Sequence, residues 1–309
     1  MNTISYTATT EDEGKYVKEI LQQKLKLSSR LVRKIKITGE IKLNGRSVHV
    51  RERVDVGDTV TVSYPEEESY FEPENIPLDI VYEDEDLLVV NKQPGLIVHP
   101  TYNFPTGTLA NAITYYMQQK GEVYKLRFVN RLDMYTSGLI IVGKNAHCQD
   151  AIMNQMHDGT IIKKYKAIVH GVIDKDQTID LPIDKDPNHV ARRMVREDGY
   201  PSVTHVRVIE KFKDKNYGQL NGFTFVELKL DTGRTHQIRV HLTHIGHPLV
   251  GDELYAQLYG YNVNPDWMPR QALHSYYLNF AHPVTGERIE LETQLPDDMK
   301  AALEYIRGQ

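Results

Sequence analysis

The chain has 309 residues, a single cysteine and a formal net charge of -5, with 40% apolar and 26% charged residues. One cysteine, Cys148, excludes an internal disulfide and a thiolate-rich zinc site, and the acidic balance argues against a protein that coats polyanions with its whole surface. There is no basic-then-apolar start and no apolar run near ~20 residues, so neither export nor membrane insertion is expected and a cytoplasmic location is the default.

Val17, Ile20, Leu21 and Leu25 recur at helical spacing, which predicts an amphipathic helix over about 14–25. Ser28 or Ser29 can cap a second helix, which ends at Gly39. Ile41 to Leu43 then alternates, Asn44-Gly45 makes a tight hairpin turn, and Val48 and Val50 return; Asp55-Val56-Gly57-Asp58 turns into a last strand, Thr59 to Tyr64. The second helix gathers Arg30, Arg33 and Lys34 on one face, a pattern equally suited to a solvated surface. The run SRLVRK, the hairpin NG and VGDTV resemble the S4 RNA-binding domain. That resemblance implies that Arg30, Arg33 and Lys34 touch RNA phosphates, giving affinity without reading sequence.

Glu66 to Pro77, with Pro65 and Pro73, reads as a polar connector, so the expected organisation is a small α/β module over 1–65, a linker over 66–77 and a large domain over 78–309. Ile80 to Tyr82, Leu87 to Val90, Gly138 to Val142, Tyr165 to Val169 and Phe223 to Leu230 are strand candidates, with helical patches at Leu109 to Met117 and Ala151 to Met156. The expected fold class is α/β of the α+β kind: a mixed, largely antiparallel sheet with flanking helices and long loops, and no regular βαβ alternation.

Two stretches carry the chemistry. In Asn130 to Ile141 a single carboxylate, Asp133, sits beside Arg131 at the mouth of an apolar run, a setting that suits a turn or a nucleophile. The stretch Leu230 to Asp252 predicts a helix over Thr235 to Ile245, stopped by Gly246 and Pro248. Its His236, His241, His244 and His247 invite a zinc hypothesis, but no pair stands at i, i+4 and no HExxH glutamate follows, so no metal is expected.

Asn130-Arg131-Leu132-Asp133 followed by Thr136-Ser137-Gly138-Leu139 resembles the HRLDxxTSGL signature of the RluA family of pseudouridine synthases. Gly233 to His241, Glu83 to Lys92 and Lys164-Tyr165-Lys166-Ala167 resemble three further family motifs in the same order, and the likeness covers residues 78–309. The resemblance implies the pseudouridine synthase fold and an isomerase that detaches uracil at N1 and rejoins it through C5, which needs no cofactor. It maps the catalytic aspartate onto Asp133, its guanidinium partner onto Arg239 and the active-site tyrosine onto Tyr165. Such a pair typically lowers a carboxylate pKa by roughly 1–3 units. Arg131 would fill the space left by a flipped base or bind the distorted backbone, and Asn130, Arg234 and His236 would contact RNA.

The implied partner is RNA, ribosomal or transfer, with no membrane and no small-molecule cofactor, and the chain is expected to act as a monomer. Arg192, Arg193 and Arg196, on the loop from Asp186 to Tyr200, could add phosphate contacts or belong to a solvated arm. Two departures stand out: Asn130 where the family has histidine, and Lys92-Gln93-Pro94-Gly95 in place of KPxG. Asparagine keeps donor and acceptor capacity but cannot titrate, so Asn130 is expected to be a conformational or RNA-contact position. Two rival readings remain: an S4-containing RNA-binding or ribosome-assembly factor with a silent site, and a metal-dependent hydrolase.

Overall fold

Two apolar runs, Leu87-Leu88-Val89-Val90 and Leu139-Ile140-Ile141-Val142, lack the alternation of a half-exposed strand; in the computed structural model both are strands with every one of these side chains buried. The structure describes residues 2–64, 69–217, 220–259 and 265–308.

The N-terminal unit consists of β1 (Asn2–Thr7), α1 (Val17–Gln23), α2 (Ser29–Thr38), β2 (Glu40–Leu43), β3 (Arg46–Ser47) and β4 (Thr59–Tyr64). Its four strands form an antiparallel sheet in the order β1-β4-β2-β3, and Ile20, Leu21, Leu31 and Ile35 of the helices pack on Val60 and Val62. Ser28 is the cap of α2, accepting from the Leu31 amide at 3.1 Å. Asn44 and Gly45 both adopt left-handed φ, 50° and 82°, as a two-residue hairpin turn requires.

The main body begins with β5 (Ile80–Glu83), β6 (Leu87–Lys92), α3 (Leu109–Lys120), β7 (Arg127–Phe128), β8 (Ser137–Gly143) and α4 (Ala146–His157). Next come β9 (Ile162–His170), β10 (Gln177–Asp180), a small hairpin of β11 (Ile183–Lys185) and β12 (Arg193–Val195), and the long pair β13 (Val203–Tyr217) and β14 (Leu220–Leu230). It ends with α5 (Gln237–His244), the single turn α6 (Glu253–Ala256), β15 (Leu273–Ala281), β16 (Arg288–Glu292) and α7 (Asp297–Gly308). Ten strands make one sheet, in the order β10-β13-β14-β9-β15-β8-β6-β5 with β16 on β15 and β7 on β8. Every pairing is antiparallel except β15 with β8. The mixed, largely antiparallel sheet expected from the sequence is therefore present.

Both faces of the central strands are covered, which is why their sequences run apolar without a break. Leu88, Val90, Ile140 and Val142 share a cluster with Leu109 and Ile113 of α3 and Ile238 and Leu242 of α5. Leu87, Val89, Leu139 and Ile141 face the other way, onto Cys148 and Ile152 of α4. Each such burial contributes about 1.5–3 kcal/mol. Met299, Leu303 and Ile306 of α7 close the remaining side against Ile168 and Phe225.

The expected connector behaves differently from a solvated joint. Residues 65–68 lie outside the described residues, but Phe71 and Ile76 pack on the main core. Ser69 Oγ accepts from the Leu126 amide at 2.7 Å, and the Asn111 side chain donates to the Glu72 carbonyl at 2.7 Å. The prolines and acids suggested solvation; the interleaved Phe71 and Ile76 instead fasten this strap. The two units also touch: Ser28 donates to the Asp150 carboxylate, the Tyr64 hydroxyl bonds to the His147 backbone, and Ala146 packs on the N-terminal core. Among the described residues no helix is long and apolar enough to cross a membrane.

Two core histidines predict acid sensitivity. Burial pushes His170 and His274 down to about 4, with the Arg270 charge adding to the effect at His274. An unfolded chain takes up these protons below about pH 6.5 while the folded one resists, so stability falls as pH drops from 6.5 towards 4. The expected loss is about 3 kcal/mol for each histidine. Urea unfolding at pH 7 and pH 4 measures it, and His170→Gln and His274→Gln should each flatten the profile.

Candidate active site

Asp133 lies on the loop between β7 and β8, and that loop is fixed from several sides. Asn130 donates to the Leu139 carbonyl at 3.1 Å and accepts from the Ile141 amide at 2.8 Å, while the Val129 amide donates to the Ile141 carbonyl at 2.9 Å. The Thr136 amide donates to the Asp133 carbonyl at 3.1 Å, closing the turn. Gly138 has φ +118°, and a Cβ there would sit 2.2 Å from the Ser275 carbonyl oxygen. Only glycine allows β8 to approach β15 this closely, which accounts for the glycine of TSGL. Of the two roles expected for Asn130, the structure has the conformational one. Both ends of its amide are engaged by backbone.

Lys92, 1% exposed, donates to the carbonyls of Gln93 (3.0 Å), Leu96 (2.9 Å) and Met134 (3.0 Å). Burial pushes its ammonium down to about 7, the Arg270 charge adds to this and Asp133 opposes it. From the other side Arg270 donates to the Tyr135 carbonyl at 2.9 Å and holds Asp298 through two bonds, 2.6 and 2.8 Å. The two residues that follow Asp133 are thus held in place by the buried Lys92 and Arg270.

Arg239 comes from α5, whose entry is set by His236 at φ +58° and by Gln237. Gln237 Oε1 accepts from Thr232 Oγ1 (2.8 Å) and the Arg234 amide (3.0 Å), and its Nε2 donates to the Val203 carbonyl (2.9 Å). From this base Arg239 donates through Nη1 to Asp133 Oδ2 at 2.8 Å. Its Nε and Nη2 grip Asp252 at 2.7 and 2.8 Å. These are charge-assisted lengths. Arg239 and Asp252 are buried, while Asp133 keeps about 20% of its side chain exposed. Burial alone would push the Arg239 guanidinium down; the Asp252 and Asp133 carboxylates overcome it and hold it above its ordinary value.

His236 Nε2 stands 3.7 Å from Asp133 Oδ2, and Nδ1 stands 2.8 Å from the Tyr255 hydroxyl. That hydroxyl already accepts from the Arg193 amide at 2.9 Å, so its proton is available to Nδ1. Burial lowers the His236 pKa, and burial raises Tyr255 to about 12. A neutral His236 bonded in this way points an Nε2–H at Asp133. Tyr255 thus turns His236 towards the carboxylate, in the lining of the same cleft.

Tyr165 lies on β9 opposite Ser275 of β15 and is 7% exposed. Burial pushes its hydroxyl up to about 12, opposed by a hydrogen bond with Ser275 and reinforced by Asp133, so it stays a neutral phenol near pH 7. Asp133, Tyr165 and Arg239 line one cleft together with Arg131, Arg234 and His236, and its inner part encloses about 60 Å³. Arg30, Arg33 and Lys34 are exposed on α2, outside this lining, and Lys34 is lowered by burial and by the nearby Lys125 and Arg127 charges. The arm expected at 186–200 includes β12 and pairs internally, Arg192 with Asp186 at 3.2 Å and Arg196 with Asp198 at 2.6 Å.

Other sites compete poorly. A wider hollow of about 600 Å³ beside Glu83, Lys120 and Lys144 satisfies its own charges, Glu83 bonding Lys144 at 2.8 Å and Lys120 at 2.9 Å. His241 is held between Thr204 Oγ1 and the Leu181 carbonyl, both at 2.9 Å, and His247 bonds the His170 carbonyl at 3.0 Å, so the histidines of this stretch do not converge. Among the described residues Asp84, Asp86 and His282 have metal-like spacing. His282 Nδ1 accepts from the Val284 and Thr285 amides, which leaves Nε2–H to donate to Asp84 at 2.9 Å and no nitrogen lone pair for a metal.

Sequence reasoning missed Asp252, Tyr255, Lys92 and Arg270 as parts of the site. The first two stand in the same conspicuous stretch as Arg239 or just after it, but their pairing is a product of the fold.

Comparison with known proteins places the chain in a family. Residues 86–244 match the family described as RNA pseudouridylate synthase. The RNA pseudouridine synthase YlyB of Bacillus subtilis is 40% identical over 313 residues, covering 99% of both chains. Ribosomal large subunit pseudouridine synthase D of Haemophilus influenzae is 36% identical, covering 99% of this chain and 95% of that one. The solved structure of human RNA pseudouridylate synthase domain containing 1 is 27% identical with a TM-score of 0.57, covering 77% of this chain and 98% of that one. With a cleft built from its signature motifs and relatives alike along their full length, the chain belongs to the RluA-like family of RNA pseudouridine synthases, which are isomerases.

Proposed function

We propose that this enzyme isomerises specific uridines of large-subunit ribosomal RNA, with Asp133 as the catalytic carboxylate. The observation that carries the reading is the buried chain Asp252–Arg239–Asp133, which aims one carboxylate into a cleft floored by Tyr165. The likeness to ribosomal large-subunit enzymes supports the choice of RNA over its whole length.

In this reaction the N1–C1′ bond breaks, a C5–C1′ bond forms, C5 gives up its proton and N1 gains one. No electrons are exchanged. Asp133 acts as nucleophile or base when the glycosidic bond breaks. Arg239 holds Oδ2, and among the described residues no donor bonds Oδ1, which is left for the substrate. Tyr165, a neutral phenol against the uracil, relays the proton released at C5. Arg131, exposed two residues before Asp133, occupies the gap left by the flipped base, which lowers an unstacking cost of a few kcal/mol. The N-terminal unit is an S4-like module whose Arg30, Arg33 and Lys34 bind phosphates. Deleting residues 1–64 should weaken RNA affinity by tenfold or more, on the order of the loss of several phosphate contacts, and leave the main body folded. Filter binding and circular dichroism check the two halves of that statement.

The function is tested with unmodified transcripts of large-subunit rRNA and of tRNA carrying tritium at uridine C5. Tritium release from the ribosomal transcript is expected, and release from tRNA alone would overturn the choice of RNA.

Asn130 provides a further check. Because it clamps the loop, no catalytic imidazole is missing. Asn130→His should leave the single-turnover rate above pH 7 near or below its original value, since two diverging ring nitrogens cannot reproduce both amide bonds. A hundredfold gain at pH 8 would mean that the native site lacks a base, which favours a silent isomerase.

A further inference from the structure

Tyr200 is held by its backbone and left bare at its ring. Its amide donates to the Ile183 carbonyl at 2.9 Å, and the Ile183 amide donates back at 3.0 Å. A Cβ on the neighbouring Gly199 would lie 2.7 Å from the Ile183 carbonyl carbon, so the two chains meet here only because that residue is glycine. The hairpin β11–β12 is in turn anchored to the catalytic cleft by Tyr255, which bridges the Arg193 amide and His236. Despite this rigid mounting the Tyr200 side chain is 61% exposed.

An isolated exposed tyrosine is ordinary. This one has a guanidinium over its ring: the Arg234 carbon Cζ lies 5.3 Å from the ring centroid, and Arg234 Nε donates to the Pro201 carbonyl at 3.4 Å. Arg234 also lines the cleft that holds Asp133, so the aromatic–cation pair is continuous with the site. The pair is pre-ordered before any ligand arrives, which reduces what binding must immobilise.

We propose that Tyr200 and Arg234 form a stacking subsite for the nucleobase next to the target uridine. The inference rests on the RNA reading above. Flipping a uridine strips its neighbour of one stacking partner, and a fixed aromatic face beside the cleft replaces it. The chemistry fits any base, because every base has a π face, so the subsite supplies affinity and register. The adjacent guanidinium takes the phosphate between the two nucleotides.

The test compares wild type, Tyr200→Leu and Tyr200→Phe. Binding is measured by fluorescence anisotropy with a fluorescein-labelled oligoadenylate carrying one central uridine, and turnover with transcribed large-subunit rRNA. Tyr200→Leu should weaken oligonucleotide binding roughly ten- to hundredfold, the span of one lost base stack. In the turnover assay the same loss should fall on KM rather than kcat, and Tyr200→Phe should restore both. Equal affinities of wild type and Tyr200→Leu, strong or weak, would overturn the subsite, as would a Tyr200→Phe protein as impaired as Tyr200→Leu. Absence of wild-type turnover on rRNA counts against the proposed substrate instead, while the anisotropy comparison still decides the subsite.

Discussion

Asp133→Asn should reduce pseudouridine formation by roughly a thousandfold or more, the scale lost with a group that acts directly on the reacting bond. Asparagine nearly preserves the size of the side chain, and its oxygen can still accept from Arg239, so the loop pinned by Lys92 and Arg270 keeps its shape. RNA affinity should therefore stay within about threefold if, as proposed, the missing charge acts on the reacting sugar and base rather than on the phosphates. Single-turnover assays and filter binding on the same preparation separate the two effects. A variant that makes pseudouridine at a comparable rate removes Asp133 from the chemistry.

Asp252→Ala should have the second largest effect, and on stability as well as rate. Asp252 is fully buried and makes two bonds to the buried Arg239. Deleting one partner of such a pair leaves a desolvated charge and typically costs about 3–5 kcal/mol. For a chain of this size that lowers the melting midpoint by about 5–10 °C. Arg239 then keeps its hydrogen bond to Asp133 and its contact with the Tyr255 ring at 4.9 Å, and with both bonds to Asp252 gone its guanidinium can turn from the geometry that presents Oδ1. A fall in kcat of about a hundredfold, measured well below the new midpoint, is expected. Unchanged melting and unchanged kcat would mean that Asp252 does not set the position of Arg239.

What the sequence displayed, and what it hid, follow from where each signal resides. β6, β8 and β9 were readable because residues buried on both faces give apolar runs, and α5 because its apolar residues recur at helical spacing. β13 was missed: Arg207, Glu210 and Lys211 are scattered along it, two of them exposed, so the run resembles a solvated segment, and pairing with β10 and β14 makes it a strand. α7 is amphipathic in its sequence, with Met299, Leu303 and Ile306 buried, and that periodicity was overlooked. In the site, Asp133, Tyr165 and Arg239 were legible through motif resemblance, and the structure brings their side chains into one cleft. The partners that orient them were not. That Asp252 reaches Arg239, that Tyr255 turns His236 inward and that Lys92 binds the Met134 carbonyl are long-range outcomes of folding. Asn130 is the instructive case, because a polar residue three positions before Asp133 invites a chemical role and here completes a hydrogen-bond ladder.

Uridine isomerisation in large-subunit rRNA through Asp133 can be read in cells. Pseudouridines in that RNA are mapped in a strain lacking the gene, complemented either with the wild-type chain or with Asp133→Asn. The account predicts at least one position that is uridine in the deletion, pseudouridine with the wild type, and uridine again with Asp133→Asn. Identical maps in all three strains, or restoration by Asp133→Asn, would contradict it.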